Sequence, residues 1–390
     1  MTGSAKRMNL SYPVTAADYR RLAQRRLPGF LFDYIDGGAG DEITLAANVA
    51  DFARVKLRQR VLVDVSRIDT AATLAGESCT LPLALAPVGL AGMMARRGEA
   101  QAARVAAAAG VPFTLSTVGI CPLDEVRAAY GAPFWFQLYM LRDRGVVQAL
   151  LQRAWDTGCR TLVFTIDLPL PGPRHRDTRR GLGAHGLRAA LLKNAQVLAH
   201  PGWIWNVALR GKPLRFGSIA EHVPDARDFN ALRSWIDTQF DASVTWRDIE
   251  WLRGHWKGKL LLKGILDADD ARAAVNAGAD GIVVSNHGGR QLDSAASSVS
   301  KLPAIVQAVG AKTEVLIDGG VRSGADIFKA LALGARGVLI GRPWVWALAG
   351  AGQRGLRDLL ATLQGELKLT MTMAGVTRIA DIGANHIDHN

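Results

Sequence analysis

Nine consecutive residues, Ser285 to Asp293 (SNHGGRQLD), place an imidazole and a guanidinium three positions apart with two glycines between them. Imidazole titrates near neutral pH and suits a general base. A guanidinium at that distance can hold a carboxylate through two parallel hydrogen bonds. A histidine ending an apolar run is more often a structural hydrogen bonder. Asp167 favours catalysis here, because it ends a second apolar run and can orient and charge-stabilise the imidazole of His287. Lys263 stands inside a third run, LLLKGI (Leu260–Ile265). An unpaired ammonium buried there is costly, so an anionic partner is expected.

Two glycine-rich segments close the set: IDGGVRSG (Ile317–Gly324) and IGRP (Ile340–Pro343). Glycine lets backbone N–H groups approach a phosphate, and Arg322 and Arg342 add charge. Tight turns carrying surface arginines are the plain alternative for either segment alone. No GxGxxG follows an early apolar run, which argues against a Rossmann nicotinamide site. His, Cys and acidic residues show no metal-ligand spacing, so no metal is expected.

The elements that must position these residues form a rhythm from residue 81 onward. Short apolar runs ending in polar residues or Gly alternate with Ala-rich helical stretches. The runs are Leu83–Pro87, Phe113–Ser116, Phe134–Tyr139, Thr161–Asp167, Leu260–Gly264, Gly281–His287, Val315–Gly320 and Gly337–Gly341. Strands apolar on both faces belong to a buried parallel sheet. Eight of them predict an α/β fold, a closed (β/α)8 TIM barrel. Its active site then lies at the C-terminal strand ends, where Ser116, Gln137, Tyr139, Thr165, Asp167, Lys263, Ser285, His287, Asp318, Gly341 and Arg342 fall. The last two strands commonly supply the phosphate site of such barrels, which suits the two glycine-rich segments.

The chain reads as a single domain over 1–390, with an N-terminal helical preamble (1–80), the barrel (81–350) and a C-terminal helical tail (351–390). The fourth and fifth runs lie far apart, so 174–245 is a long insertion after strand 4. Long loops in compact domains are lids, binding surfaces or disordered.

The net charge of +12 is concentrated. Residues 174–215 carry nine Lys or Arg against one acid, Asp177. No nucleic-acid motif accompanies them, so no nucleic acid is expected. Within 187–215, Leu187–Arg210 mixes Leu, Ala, Val and two Trp with basic residues and is broken by Pro201–Gly202. It reads as an interfacial segment on an anionic membrane surface, with Trp203 and Trp205 at headgroup level. A lid over the active site is the alternative. No apolar run is long enough to span a bilayer. Met1–Leu10 lacks the apolar core of a secretory signal. Three scattered cysteines fit a reducing compartment.

SNHGGRQLD, LLLKGI, WFQLY (Trp135–Tyr139), IDGGVRSG and LFDYIDGGAGDE (Leu31–Glu42) resemble the FMN-dependent L-2-hydroxy acid dehydrogenase/oxidase family. The resemblance spans roughly residues 10–375. LALAPVGLAGMMARRGE (Leu83–Glu99), FTLSTVGICPLDEV (Phe113–Val126) and the Trp-rich insertion most resemble its membrane-associated respiratory branch. The resemblance implies FMN as cofactor and oxidation of an L-2-hydroxy acid, L-lactate to pyruvate first, with mandelate oxidation or an oxygen-using oxidase as alternatives. It implies His287 as base with Asp167 as partner, and Arg290, Arg174 and the Tyr34 hydroxyl on the substrate carboxylate. Tyr139 is directed at the substrate hydroxyl. Lys263 lies by flavin N1–O2. Ser116, Gln137 and Thr165 bond the ring, Pro87, Val88 and Gly89 lie along its N5 side, and Ser285 belongs to the same site. Asp318 takes the ribityl chain, and Gly319, Gly320, Arg322, Gly341 and Arg342 the phosphate. A quinone acceptor, a peripheral place on the cytoplasmic side of the inner membrane and a homo-oligomer (tetramer) are implied too. These residues suit hydride transfer and a carbanion route equally. Gly89 stands where several members carry Ala, which makes room beside the flavin. Val118 stands where the glycolate-oxidising members carry a bulky aromatic, so a methyl or larger substrate side chain fits and lactate and mandelate both stay open.

Overall fold

A computed structural model describes residues 12–182, 186–220 and 238–388. Eight parallel strands form its centre: β1 (Leu83–Leu85), β2 (Thr114–Ser116), β3 (Trp135–Leu138), β4 (Thr161–Thr165), β5 (Lys259–Ile265), β6 (Gly281–Val284), β7 (Glu314–Asp318) and β8 (Gly337–Ile340). They pair in sequence order, and β8 returns to β1 through Val338–Leu83 and Ile340–Leu85. A parallel bridge from Leu85 to Phe113 closes the ring between β1 and β2. This is the expected (β/α)8 barrel.

Side chains alternate along each strand between helix-facing and barrel-facing positions. Phe136, Leu162, Leu260, Leu262, Ile282, Ile317 and Val338 join the large outer core under the helices. Trp135, Val163, Leu261, Val283, Leu316 and Leu339 fill the barrel. Two residues further along, the same inward rows carry Gln137, Thr165, Lys263, Ser285, Asp318 and Gly341. The row that packs the centre therefore also supplies the mouth.

The segment before the barrel is not helical throughout. Helices Ala16–Arg26, Gly29–Asp36 and Ile43–Arg54 are followed by a hairpin, Ala72–Leu74 with Glu77–Cys79. Its turn holds Ala75 and Gly76 at φ 49° and 83°, as a two-residue primed turn requires. Leu74, Ala75 and Cys79 pack against the barrel-filling row as a floor. Glu77 accepts from Trp135 Nε1 at 3.0 Å, and Glu314 from the Ala75 N–H at 2.9 Å. Burial lifts both carboxyls above the usual range despite these bonds.

Candidate active site

The mouth of the barrel opens into a cavity with about 1460 Å3 of empty space, open solvent included. Helix Gly29–Asp36 brings Tyr34 to its wall, and the insertion brings Arg174, Phe216 and Phe240.

The chain turns sharply after β6. His287, Gly288 and Gly289 are all left-handed, at φ 56°, 64° and 73°. A left-handed histidine costs about 1–2 kcal/mol, so the surroundings must hold it. The His287 N–H donates to Ser285 Oγ at 3.0 Å and the Gly289 N–H to Asn286 Oδ1 at 3.0 Å. Asn286 and Asn48 exchange two amide bonds of 2.8 Å, which tie this turn to helix Ile43–Arg54. The turn aims His287 Nδ1 at Asp167 Oδ1, 2.7 Å away. Burial, against the pull of Asp167, keeps the imidazole below its ordinary pKa. Burial also raises the Asp167 carboxyl, but His287 and Lys263 outweigh it and hold the group below the usual carboxylate value. A neutral imidazole oriented by a carboxylate results. It is competent to take a proton and to carry the charge afterwards.

Arg290 and Arg174 lie 5.2 and 5.7 Å from the centre of the Tyr34 ring. Arg290 also donates to the Gly37 carbonyl at 2.8 Å. Burial, and then its neighbour Arg174, depress the Arg290 pKa. Two guanidiniums beside one phenol form a socket for an anion. Tyr139 lies on the same wall with its ring edge-on to Phe240 at 5.3 Å, and burial raises its pKa.

Lys263 Nζ donates to Ser285 Oγ at 3.0 Å and pairs with Asp318 Oδ2 at 3.1 Å. Burial opposes its charge, but Asp318 and Asp167 prevail and raise its pKa. Ser116 Oγ donates to Gln137 Oε1 at 3.1 Å. Gln137 Nε2, Thr165 Oγ1 and Asp318 Oδ1 are buried without a hydrogen-bond partner. Unpaired buried polar atoms are costly and rare. Three of them at one barrel mouth point to a polar ligand.

Arg322 and Arg342 line the far side of the cavity. Burial lowers Arg322 to about 10 and takes Arg342 well below its ordinary value. Among the described residues neither forms an ion pair. Arg342 instead donates to the carbonyls of Gly288 and Gly37 at 2.8 Å each, and to that of Asp36 at 3.1 Å. The region carries a surplus of buried positive charge. Gly319 and Gly320 are left-handed, and a Cβ on Gly320 would lie 2.0 Å from the Asn48 carbonyl oxygen. Glycine there is required by the helix packed behind it as well as by the turn.

Seventeen of the residues singled out in the sequence line this one cavity: Tyr34, Pro87, Val88, Gly89, Val118, Tyr139, Thr165, Arg174, Lys263, His287, Arg290, Asp318, Gly319, Gly320, Arg322, Gly341 and Arg342. Asp167, Ser116, Gln137 and Ser285 stand just behind it and bond to the wall or to one another. Two expectations need correction. The room expected beside Gly89 is filled, because a Cβ there would lie 2.7 Å from Val118 Cγ2 and 3.2 Å from the Tyr34 hydroxyl. Trp203 is not at the surface; it is buried, and its Nε1 donates to the Met93 carbonyl at 2.8 Å. Sequence reasoning missed Phe216 and Phe240, which no local pattern marks. It also passed over Gln291, whose side chain bonds the carbonyls of Asp167 and Leu170 at 2.9 and 3.0 Å. That signal lay inside SNHGGRQLD.

A barrel mouth with buried arginines and unpaired polar atoms of this kind suits an anionic, polar ligand. The family model of FMN-dependent dehydrogenases matches residues 23–389, and the chain belongs to that family. It is 54% identical over 368 residues to the L-lactate dehydrogenase of Caulobacter vibrioides, covering 94% of this chain and 96% of that one. It is 51% identical over 368 residues to the L-lactate dehydrogenase of Alcaligenes faecalis, covering 94% and 97%. Among solved structures, the monotopic membrane protein (S)-mandelate dehydrogenase superposes with a TM-score of 0.91 at 35% identity, covering 97% and 100%. Mandelate oxidase gives 0.81 at 40% identity, covering 97% and 98%.

The residues present fit FMN. The unbonded Gln137 Nε2 and Thr165 Oγ1 can face a heteroatom-rich ring, Asp318 Oδ1 a hydroxyl, and the buried Arg322 and Arg342 a phosphate. Among the described residues no cluster of His, Cys or acidic groups could hold a metal ion.

Proposed function

We propose that this protein oxidises L-lactate to pyruvate and passes the electrons to a quinone at a membrane surface. The observation that carries the reading is one cavity holding an Asp167-bound imidazole and two guanidiniums around Tyr34. Arg174 and Arg290 grip the carboxylate, and the Tyr34 hydroxyl joins them. This fixes which face of C2 is presented. His287 takes a proton from the substrate, and Asp167 compensates the imidazolium. Tyr139 is directed at the substrate hydroxyl. Lys263 keeps a positive charge at the barrel mouth. FMN, when bound, supplies the two-electron acceptor. Ser116, Gln137, Thr165, Lys263, Ser285 and the Pro87–Gly89 backbone would hold its ring, Asp318 its ribityl chain, and Gly319, Gly320, Arg322, Gly341 and Arg342 its phosphate. The two relatives above are both L-lactate dehydrogenases.

A second reading, (S)-mandelate, is favoured by the likeness to (S)-mandelate dehydrogenase and by apolar walls at Leu168, Phe216 and Phe240. Anaerobic flavin reduction with L-lactate, glycolate and (S)-mandelate, followed by re-oxidation with a short-chain quinone or oxygen, separates the two. L-Lactate should give the highest kcat/KM and the quinone the faster re-oxidation. A preference for mandelate, or stoichiometric hydrogen peroxide in air, would displace the proposal.

A further inference from the structure

A second cavity lies behind one wall of the active site. It holds about 710 Å3 of empty space, open solvent included, between β4 and helix Trp246–His255. Met140, Phe164, Ile166, Val244, Trp246 and Ile249 are among the residues that line it. Tyr139, Thr165 and Leu168 line both cavities, so a single layer of residues separates them.

The pouch is built rather than left over. The Arg142 N–H donates to the Gln239 carbonyl at 2.9 Å, and Leu141 forms an antiparallel bridge with Phe240. The end of the insertion is thereby fixed to the loop after β3. Asp241, the one charged group among the described residues of the lining, accepts from Arg144 at 2.7 Å and from Ser243 Oγ at 2.6 Å. Thr245 is occupied by Asp248, to which its N–H donates at 2.8 Å. Among the described residues no Lys, Arg or His lines the pouch. A second hydroxy acid would find no partner for its carboxylate there. An uncharged, mainly apolar ring would find mostly apolar walls.

We propose that this pouch binds the ring of the quinone acceptor while the hydroxy acid occupies the arginine-lined cavity. The inference rests on the quinone reading given above and assigns that acceptor its own place. Net, the hydroxy acid loses two electrons and two protons, one from C2 and one from its hydroxyl. The quinone gains two of each, and both its carbonyls become hydroxyls. The layer formed by Tyr139, Thr165 and Leu168 keeps the two reactants apart yet adjacent.

The test adds bulk to the outer wall, away from the proposed machinery, with Val244→Phe and, separately, Ala242→Trp. The probe is a benzoquinone carrying a short alkyl chain. Its binding to purified, FMN-loaded protein is measured by titration calorimetry, and turnover is measured with it and with ferricyanide. Each variant is first checked for an unchanged melting transition and flavin content. Ala242 is exposed, so its variant keeps the test open should the other misfold. The proposal expects the quinone Kd and KM to rise at least tenfold in both, with lactate–ferricyanide turnover within twofold of normal. Unchanged quinone binding and KM in folded variants would overturn it. So would a rise in KM for (S)-mandelate alone, which would give the pouch to a substrate side chain. A parent protein that reduces ferricyanide but neither binds nor reduces the quinone would instead overturn the quinone reading itself.

Discussion

At the scale of single residues, the site depends on charges that burial and neighbours set against each other. Burial keeps His287 neutral below its ordinary pKa, and Asp167 works in the opposite direction. The sign of a pH effect follows. The base form exists above the His287 pKa, so kcat/KM should fall only as pH drops through a value under the usual 6.5. Asp167→Asn removes the influence that raises this pKa. The acid limb should therefore move to still lower pH, while the plateau rate falls about a hundredfold or more as orientation and imidazolium stabilisation are lost. Steady-state kcat/KM for L-lactate against pH measures both. An acid limb displaced upward would contradict the electrostatic account. Nearly all of these side chains were legible in the sequence, because His287, Lys263 and Asp167 each end or interrupt an apolar run and Arg290 follows His287 by three residues. The backbone that aims His287 was not. The left-handed angle at a non-glycine residue follows from the Asn48–Asn286 amide pair, a contact between parts of the chain 238 residues apart.

At the scale of elements, the strands announced themselves because each is a continuous apolar run with a polar or Gly end. The runs overshot the strands by up to three residues where a functional turn begins, as in Gly281–His287 against a strand ending at Val284. The floor hairpin stayed hidden. Its strands are three residues each, and its inward Leu74 and Cys79 have no periodicity to report. Yet Leu74 is fully buried under the barrel row. Leu74→Ala should lower stability by about 2–5 kcal/mol through lost burial and the cavity left behind. The change lies at the end of the barrel opposite the mouth, so kcat/KM of the folded fraction should stay within twofold. Urea unfolding checks the first part and steady-state kinetics the second. A loss under 1 kcal/mol would mean that the hairpin is not part of the barrel core.

At the scale of the whole molecule, the insertion joins the site to an outer surface. Leu187, Leu191 and Leu198 are exposed and fall on one stripe of helix Leu187–Leu198, and Trp205 is exposed beyond it with Arg210 over its ring at 5.4 Å. Arg188 and Lys193 belong to the same helix. Apolar side chains outward among basic ones suit an anionic bilayer surface. Among the described residues no helix is long and apolar enough to cross one. Trp203 and Val207 face inward and anchor the segment. That division was invisible in the sequence, where the two tryptophans look alike. Converting Leu187, Leu191, Leu198 and Trp205 to Ser should thus shift the protein from anionic vesicles to the supernatant in a flotation assay, with dye-linked activity preserved. Unchanged partition would leave the segment as a lid alone.

The central claim is that His287 removes the substrate proton in a cavity where the carboxylate is already held. Anaerobic stopped-flow reduction of the bound flavin by L-lactate, comparing the parent protein with His287→Gln, tests it most directly. The variant should keep its flavin and still bind the acid, while the reduction rate constant falls by a factor of about 10²–10⁴. Flavin reduction within threefold of the parent rate would take His287 out of the chemistry.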